Sequence, residues 1–179
     1  MALSIGVDVG GTKIAAGVVD EEGAVLERIQ RASPANDRAS ILDTIVDCAL
    51  ELKESRPEAV AVGIGAAGFV SSDRNTMASG TNLDWTGVRI GDVVAERVGL
   101  PVVVENDANA AGWAEARFGA GAGKRNVLVV TLGTGVGGAI VIDGRLVRGA
   151  AGFAAEIGHI NVEPDGRPCG CGLRGGLER

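Results

Sequence analysis

Apolar positions along this chain fall into short runs broken by glycine, and two stretches share one layout. Leu3 to Val7 and Ile14 to Val19 flank the turn Asp8-Val9-Gly10-Gly11-Thr12-Lys13, and Val127 to Val130 and Ala139 to Ile142 flank Thr131-Leu132-Gly133-Thr134-Gly135-Val136. Apolar runs of this length on either side of a glycine turn predict strand, tight turn, strand. Superimposed, the two stretches match at Val7/Val130, Gly10/Gly133, Ala16/Ala139, Val18/Val141 and Asp20/Asp143. A hairpin repeated so far along a chain predicts two related lobes.

Between the hairpins the pattern alternates in type. A third strand is predicted over Ala24 to Ala32, after which Asn36 and Asp37 are candidate caps for a helix. In that helix Ile41, Ile45, Cys48 and Leu52 recur at helical spacing, with Leu42, Val46 and Ala49 widening the stripe, so it covers a sheet. Ala59 to Ala66 is nearly all apolar and contains glycine, which predicts a strand buried on both faces. Ile90 to Val98 reads as a short helix, and Val102 to Glu105 as a further core strand that gives way at Asn106-Asp107 to a helix through Phe118. Gly119 to Gly123 reads as a glycine-alanine linker, and from Gly144 the sequence is rich in loop residues. The expected organisation is a small α/β lobe over residues 1–118 and the start of a large α/β lobe over residues 119–179.

Composition narrows the function. A chain of 179 residues can bury a substantial core, and a net charge of -6 without a basic run argues against a nucleic-acid surface. The start is neither a basic n-region nor an uninterrupted apolar h-region, and no apolar stretch approaches a membrane span, so a cytoplasmic protein without a membrane partner is expected. Three cysteines cannot form a paired framework; Cys169 and Cys171, set among glycines, look more like a metal knuckle than a disulfide.

The glycine turns carry candidate chemistry. Gly10, Gly11, Gly133 and Gly135 let backbone N–H groups converge, and the hydroxyls of Thr12 and Thr134 add donors, an arrangement suited to phosphate oxygens. P-loop and Rossmann turns are excluded, because both run directly into a helix. Either turn alone can simply close a hairpin; two in register favour phosphate. Asp8 stands at a strand end beside the first turn, where a carboxylate can hold Mg²⁺ directly or through water. Asn106-Asp107 either caps the helix that follows or places Asp107 to accept a proton from a substrate hydroxyl. His159, the single histidine, precedes Cys169 and Cys171, and imidazole with thiolates is the preferred Zn²⁺ donor set. Three ligands are visible where a closed structural site takes four.

Taken in order, several motifs together resemble one family. They are Asp8-Val9-Gly10-Gly11-Thr12-Lys13, Gly63-Ile64-Gly65 before Gly68, Asn82-Leu83-Asp84-Trp85, Glu105-Asn106-Asp107-Ala108-Asn109-Ala110, Thr131-Leu132-Gly133-Thr134-Gly135-Val136-Gly137-Gly138, Glu156-Ile157-Gly158-His159 and Cys169-Gly170-Cys171-Gly172. Along its whole length the chain resembles the ROK family of sugar kinases and bacterial repressors, and within it the ATP-dependent glucokinases of actinobacterial type. The resemblance implies an actin-like, ribonuclease-H-like fold of two α/β lobes that transfers phosphoryl from ATP to the 6-hydroxyl of glucose, commonly as a homo-oligomer. It makes Asp107 the general base, Asn106, Glu156, His159 and Glu178 the sugar-binding groups, and His159, Cys169 and Cys171 zinc ligands. The two hairpins, with Lys13 in the first, become the phosphate-binding turns.

Two departures qualify it. The family's knuckle ends in a third cysteine where this chain has Gly176, so zinc is expected to be weakened or lost unless another group completes the shell. Relatives also continue past the position of Arg179, which predicts uncovered core surface and a half-built nucleotide pocket here. A sugar-binding chain without catalysis is therefore the alternative, and relatives that use fructose, N-acetylmannosamine or polyphosphate leave the hexose and the phosphoryl donor open. A sugar-responsive repressor is disfavoured, since only Met1 to Val7 precede Asp8.

Overall fold

Strand β1 (Leu3–Val9) buries every second side chain: Leu3, Ile5, Val7 and Val9 point into a core while Ser4 and Asp8 are exposed. This is the period of a strand with one packed face. The computed structural model describes residues 2–34, 37–79, 85–133 and 135–179, and the chain divides into two units, Met1–Asp107 and Ala108–Arg179.

In the first unit β2 (Lys13–Val19) and β3 (Val25–Ala32) run antiparallel beside β1, and β4 (Ala59–Ala66) and β7 (Val102–Asn106) run parallel to it, giving the order β3-β2-β1-β4-β7. A short ribbon of β5 (Phe69–Val70) and β6 (Met77–Ser79) lies between β4 and helix α2 (Ile90–Val98) in the chain. Helix α1 (Arg38–Ser55) starts because the Asp37 carboxylate accepts the Ala39 N–H at 3.1 Å and the Ser40 hydroxyl donates to the same carboxylate. Asn36, Asn82, Leu83, Asp84 and Thr134 lie outside the described residues.

α1 contributes Ile41, Ile45, Val46, Cys48, Ala49 and Leu52 to the core, and α2 contributes Ile90, Val94 and Val98. They meet the inward side chains of β1, β2 and β4 in one cluster that also holds Trp85, Met77 and Val104. Each large aliphatic group buried this way stabilises the fold by roughly 1.5–3 kcal/mol. The strand expected to be buried on both faces is packed on one: Ala59, Val62, Ile64 and Ala66 of β4 are buried, whereas Val60 is exposed. Both helices of the unit belong to the single core cluster, so the opposite side of β4 gains no cover from them.

Register carries the candidate residues to one end of this sheet. Asp8 pairs with Gly65 and Gly65 with Glu105; Val9 pairs with Ala66 and Ala66 with Asn106. Asp8 and Asn106 thus stand at the carboxyl ends of parallel strands, where open α/β sheets bind ligands.

In the second unit β8 (Val127–Leu132), β9 (Val136–Ile142) and β10 (Arg145–Leu146) form an antiparallel sheet in the order β10-β9-β8. Helix α3 (Asp107–Phe118) packs on it through Gly112, where a Cβ would collide with that of Ala139. Gly119–Gly123 folds back on the helix end, the Gly119 and Gly121 N–H groups both donating to the Glu115 carbonyl at 3.1 and 3.0 Å. Beyond β10 the chain is turns and loops, apart from a 3₁₀ turn over Ile157–His159.

Candidate functional site

The two glycine hairpins prove similar but not identical. In the first, Val9 pairs with Ile14 and the Gly10 N–H donates to the Lys13 carbonyl at 3.0 Å. In the second, Leu132 pairs with Val136 and the Gly133 N–H donates to the Gly135 carbonyl at 2.9 Å, so the turn closes one residue sooner. The first turn carries a cation, Lys13, and Val136 stands at the matching place in the second. Thr12 is fixed from behind, its carbonyl accepting the Ser33 N–H at 3.0 Å. Asp8, Gly11, Thr12 and Lys13 keep their solvent exposure at this end of the first unit, Gly11 partly.

At the end of β7 the Asn106 amide is tied to two neighbours, donating to the Gly68 carbonyl at 3.0 Å and to Asp107 Oδ1 at 3.1 Å. It thereby orients the Asp107 carboxylate, and α3 begins on Asp107, which places that carboxylate in the first turn of the helix. The Gly68 carbonyl is a partner the sequence did not suggest; its signal lies only in the glycine itself, whose φ of 122° no side-chain-bearing residue readily adopts.

The second unit gathers the other cluster. The imidazole of His159 lies between two carboxylates, with Nε2 at 3.9 Å from Glu156 Oε2 and Nδ1 at 3.7 Å from Glu178 Oε1. The same Nδ1 is 3.3 Å from Cys169 Sγ, and the Cys169 thiol donates to Glu178 Oε1 at 3.0 Å. That hydrogen bond holds the Glu178 carboxyl below its usual range. The Cys169 thiol is pulled down by the Cys171 backbone N–H but ends above its usual value, because Glu178 and burial together outweigh that contact. Single donor atoms of His159, Cys169 and Cys171 all lie within 4.8 Å of one another, an arrangement that fits a metal ion on three sides.

Close backbone approach anchors this loop on β9. A Cβ at Gly158 would run into the Val136 carbonyl, and one at Gly138 would meet the Ala155 carbonyl at 2.7 Å. The far end is held by the Glu178 N–H donating to the Gly158 carbonyl and the Leu177 N–H to that of Ile160, each at 3.0 Å. Glu178 also reaches the second hairpin, with Oε2 2.8 Å from where a Gly135 Cβ would stand and the Val136 N–H donating to its carboxylate. The structure thus brings Glu156, His159, Cys169, Cys171, Glu178 and Gly135 together in the second unit, and Asp8, Gly10, Asn106 and Asp107 to the strand ends of the first. The contact of Glu178 with the thiol was not foreseen; the missing donor at Gly176 was the available hint.

Residues 4–179 match the ROK family. The chain is a ROK family protein. Its α/β units follow the actin-like fold of ROK sugar kinases, shown by the crystal structure of a ROK family glucokinase from Streptomyces griseus in complex with glucose and AMPPNP, with a TM-score of 0.91 and 54% identity over 99% of this chain and 56% of that one. The glucokinase of Streptomyces coelicolor is 54% identical over all 179 residues, and that of Thermotoga maritima 41% identical over 176. This ROK chain spans 56% of the first and 55% of the second, little more than half the length of these curated relatives.

Proposed function

We propose that this chain carries the sugar-holding and phosphate-facing groups of an ATP-dependent kinase that phosphorylates the 6-hydroxyl of glucose. The observation that carries the reading is the Asp107 carboxylate at the carboxyl end of a parallel strand, oriented by Asn106, in a chain 54% identical to a Streptomyces glucokinase. In the reaction Asp107 takes the proton of the sugar 6-hydroxyl, that oxygen forms a bond to the γ-phosphorus of ATP, and the bond to the bridging oxygen breaks to release ADP. Asn106, Glu156, His159 and Glu178 hydrogen-bond the sugar hydroxyls. The short distance of His159 Nδ1 to the thiol supports a division of labour in which Nε2, on the Glu156 side, faces the sugar.

Gly10, Gly11, Thr12 and Lys13 of the first turn, with Gly133, Thr134 and Gly135 of the second, cradle the phosphates. Asp8 is the residue that would hold Mg²⁺, since that ion takes one or two carboxylates with substrate phosphates and supplies neutralisation of the transferring charge. His159, Cys169 and Cys171 would hold Zn²⁺, bracing the loop that carries Glu156. A cytoplasmic setting suits both a nucleoside triphosphate donor and three free cysteines, Cys48, Cys169 and Cys171.

The test is coupled ADP release by the protein at its natural length with glucose, mannose, fructose and N-acetylmannosamine, each with ATP or polyphosphate. Glucose with ATP is expected to give the highest kcat/KM. Sugar binding without ADP release from any pair would contradict the reading.

A further inference from the structure

The metal reading leaves one corner of the shell open, and the geometry around it is specific. Gly176 faces the cluster, for a Cβ there would lie 3.6 Å from Cys169 Sγ, yet glycine offers no donor. A carboxylate oxygen lies at the same thiol instead: Glu178 Oε1, 3.0 Å from Cys169 Sγ and 3.7 Å from His159 Nδ1, with Nδ1 and Sγ 3.3 Å apart. A tetrahedral Zn²⁺ with bonds of about 2.0–2.3 Å has donor-to-donor edges of about 3.3–3.8 Å. The triangle of imidazole nitrogen, thiol sulfur and carboxylate oxygen is close to one face of such a tetrahedron before any ion has drawn it in. Cys171 supplies the remaining donor near the other two protein ligands.

We propose that Glu178 is the fourth metal ligand of this chain, giving a His159–Cys169–Cys171–Glu178 shell in place of one closed by a cysteine at position 176. The proposal rests on the reading that the cluster binds a metal at all. On binding, the two thiols lose their protons to solvent, the hydrogen bond from Cys169 to Glu178 is replaced by two bonds to the ion, and two protons are released. Glu178 Oε2 stays against Gly135 and the carboxylate accepts the Val136 N–H, so the metal shell is tied directly to the second glycine turn. A carboxylate is a harder donor than the thiolate it replaces, which lowers selectivity for soft metals.

Titration with Zn²⁺ and Co²⁺, read by competition with a chromophoric chelator and by the Co²⁺ absorption bands, tests this on the whole chain. One ion per chain is expected, with charge-transfer intensity of two thiolates and tetrahedral d–d bands. Glu178→Gln and Glu178→Ala should both weaken binding by at least roughly 10- to 100-fold, the range of an outer-shell change. They should also shift the d–d bands and let added 2-mercaptoethanol enter the Co²⁺ shell, which a residue merely supporting the ligands would not do. Gly176→Cys should raise charge-transfer intensity to that of three thiolates and remove the dependence on Glu178. Circular dichroism on each variant checks that it is folded. Metal bound by the parent chain with unchanged spectra in both Glu178 variants overturns the ligand assignment alone; a parent chain that binds neither ion overturns the metal reading with it.

Discussion

Five strands and two helices of the first unit enclose Ile5, Ile14, Ile41, Ile45, Leu52, Ile64 and Trp85, all 2% exposed or less. In the second unit the buried apolar residues among those described are Ala116, Ala139, Val141 and Cys169, while Leu128, Val130 and Leu132 of β8 lie open. The first unit is held by side-chain volume, the second by glycines that let backbones touch and by a thiol, imidazole and carboxylate cluster. A site whose groups must meet a substrate draws on the less stable part of a molecule, and a well-packed neighbour makes that tolerable. In this chain Asn106 and Asp107 stand at the edge of the first unit, while Glu156, His159 and Glu178 stand in the second.

The strongest way to test the contrast is to cut into the first core. Ile5→Ala is expected to cost about 2–5 kcal/mol, read as a lower urea midpoint, because the site is enclosed and cannot collapse freely. A loss under about 1 kcal/mol would mean that the first unit is not the stability reservoir. Gly158→Ala comes next: the added methyl displaces the Val136 carbonyl, with an expected cost of about 1–3 kcal/mol. Its glucose affinity should fall by more than its urea midpoint suggests, since the residues on either side are Ile157 and His159; equal effects on both would blur the distinction between the units.

A smaller effect sits at the start of α1. The Ser40 hydroxyl bond keeps the Asp37 carboxyl below its usual range, so its capping contribution is complete above about pH 4 and fades as acid lowers the pH through the folded-state value. Asp37→Asn should flatten that acid limb in a plot of Tm against pH. Least of all is Leu132→Ser, at a side chain 81% exposed, expected to stay within about 0.5 kcal/mol. A larger loss would show that β8 has packing partners.

Much of this was legible from the residues. The runs Ala59 to Ala66 and Ile90 to Val98 match β4 and α2, and the stripe of Ile41, Ile45, Cys48 and Leu52 is the buried face of α1, because hydrophobic period directly encodes one-sided packing. What escaped depends on tertiary contact. The face of β4 bearing Val60 is apolar in sequence and uncovered by the unit's helices, and composition cannot tell these situations apart. The one-residue difference between the hairpins hides behind matching glycines, since register is decided by hydrogen-bond closure. The resemblance suggests Glu178 as a sugar ligand, but its place at the thiol follows from the return of the chain past Gly158, which no local pattern records.

The role proposed for Asp107 is tested most directly by Asp107→Asn in the protein at its natural length, with glucose binding measured by calorimetry beside glucose-dependent ADP release. Turnover is expected to fall by roughly 10²–10⁴-fold, the usual contribution of a positioned base, with glucose affinity changed by no more than a few-fold. Turnover that survives the substitution, or glucose binding lost together with it, would contradict the role of Asp107 as the base.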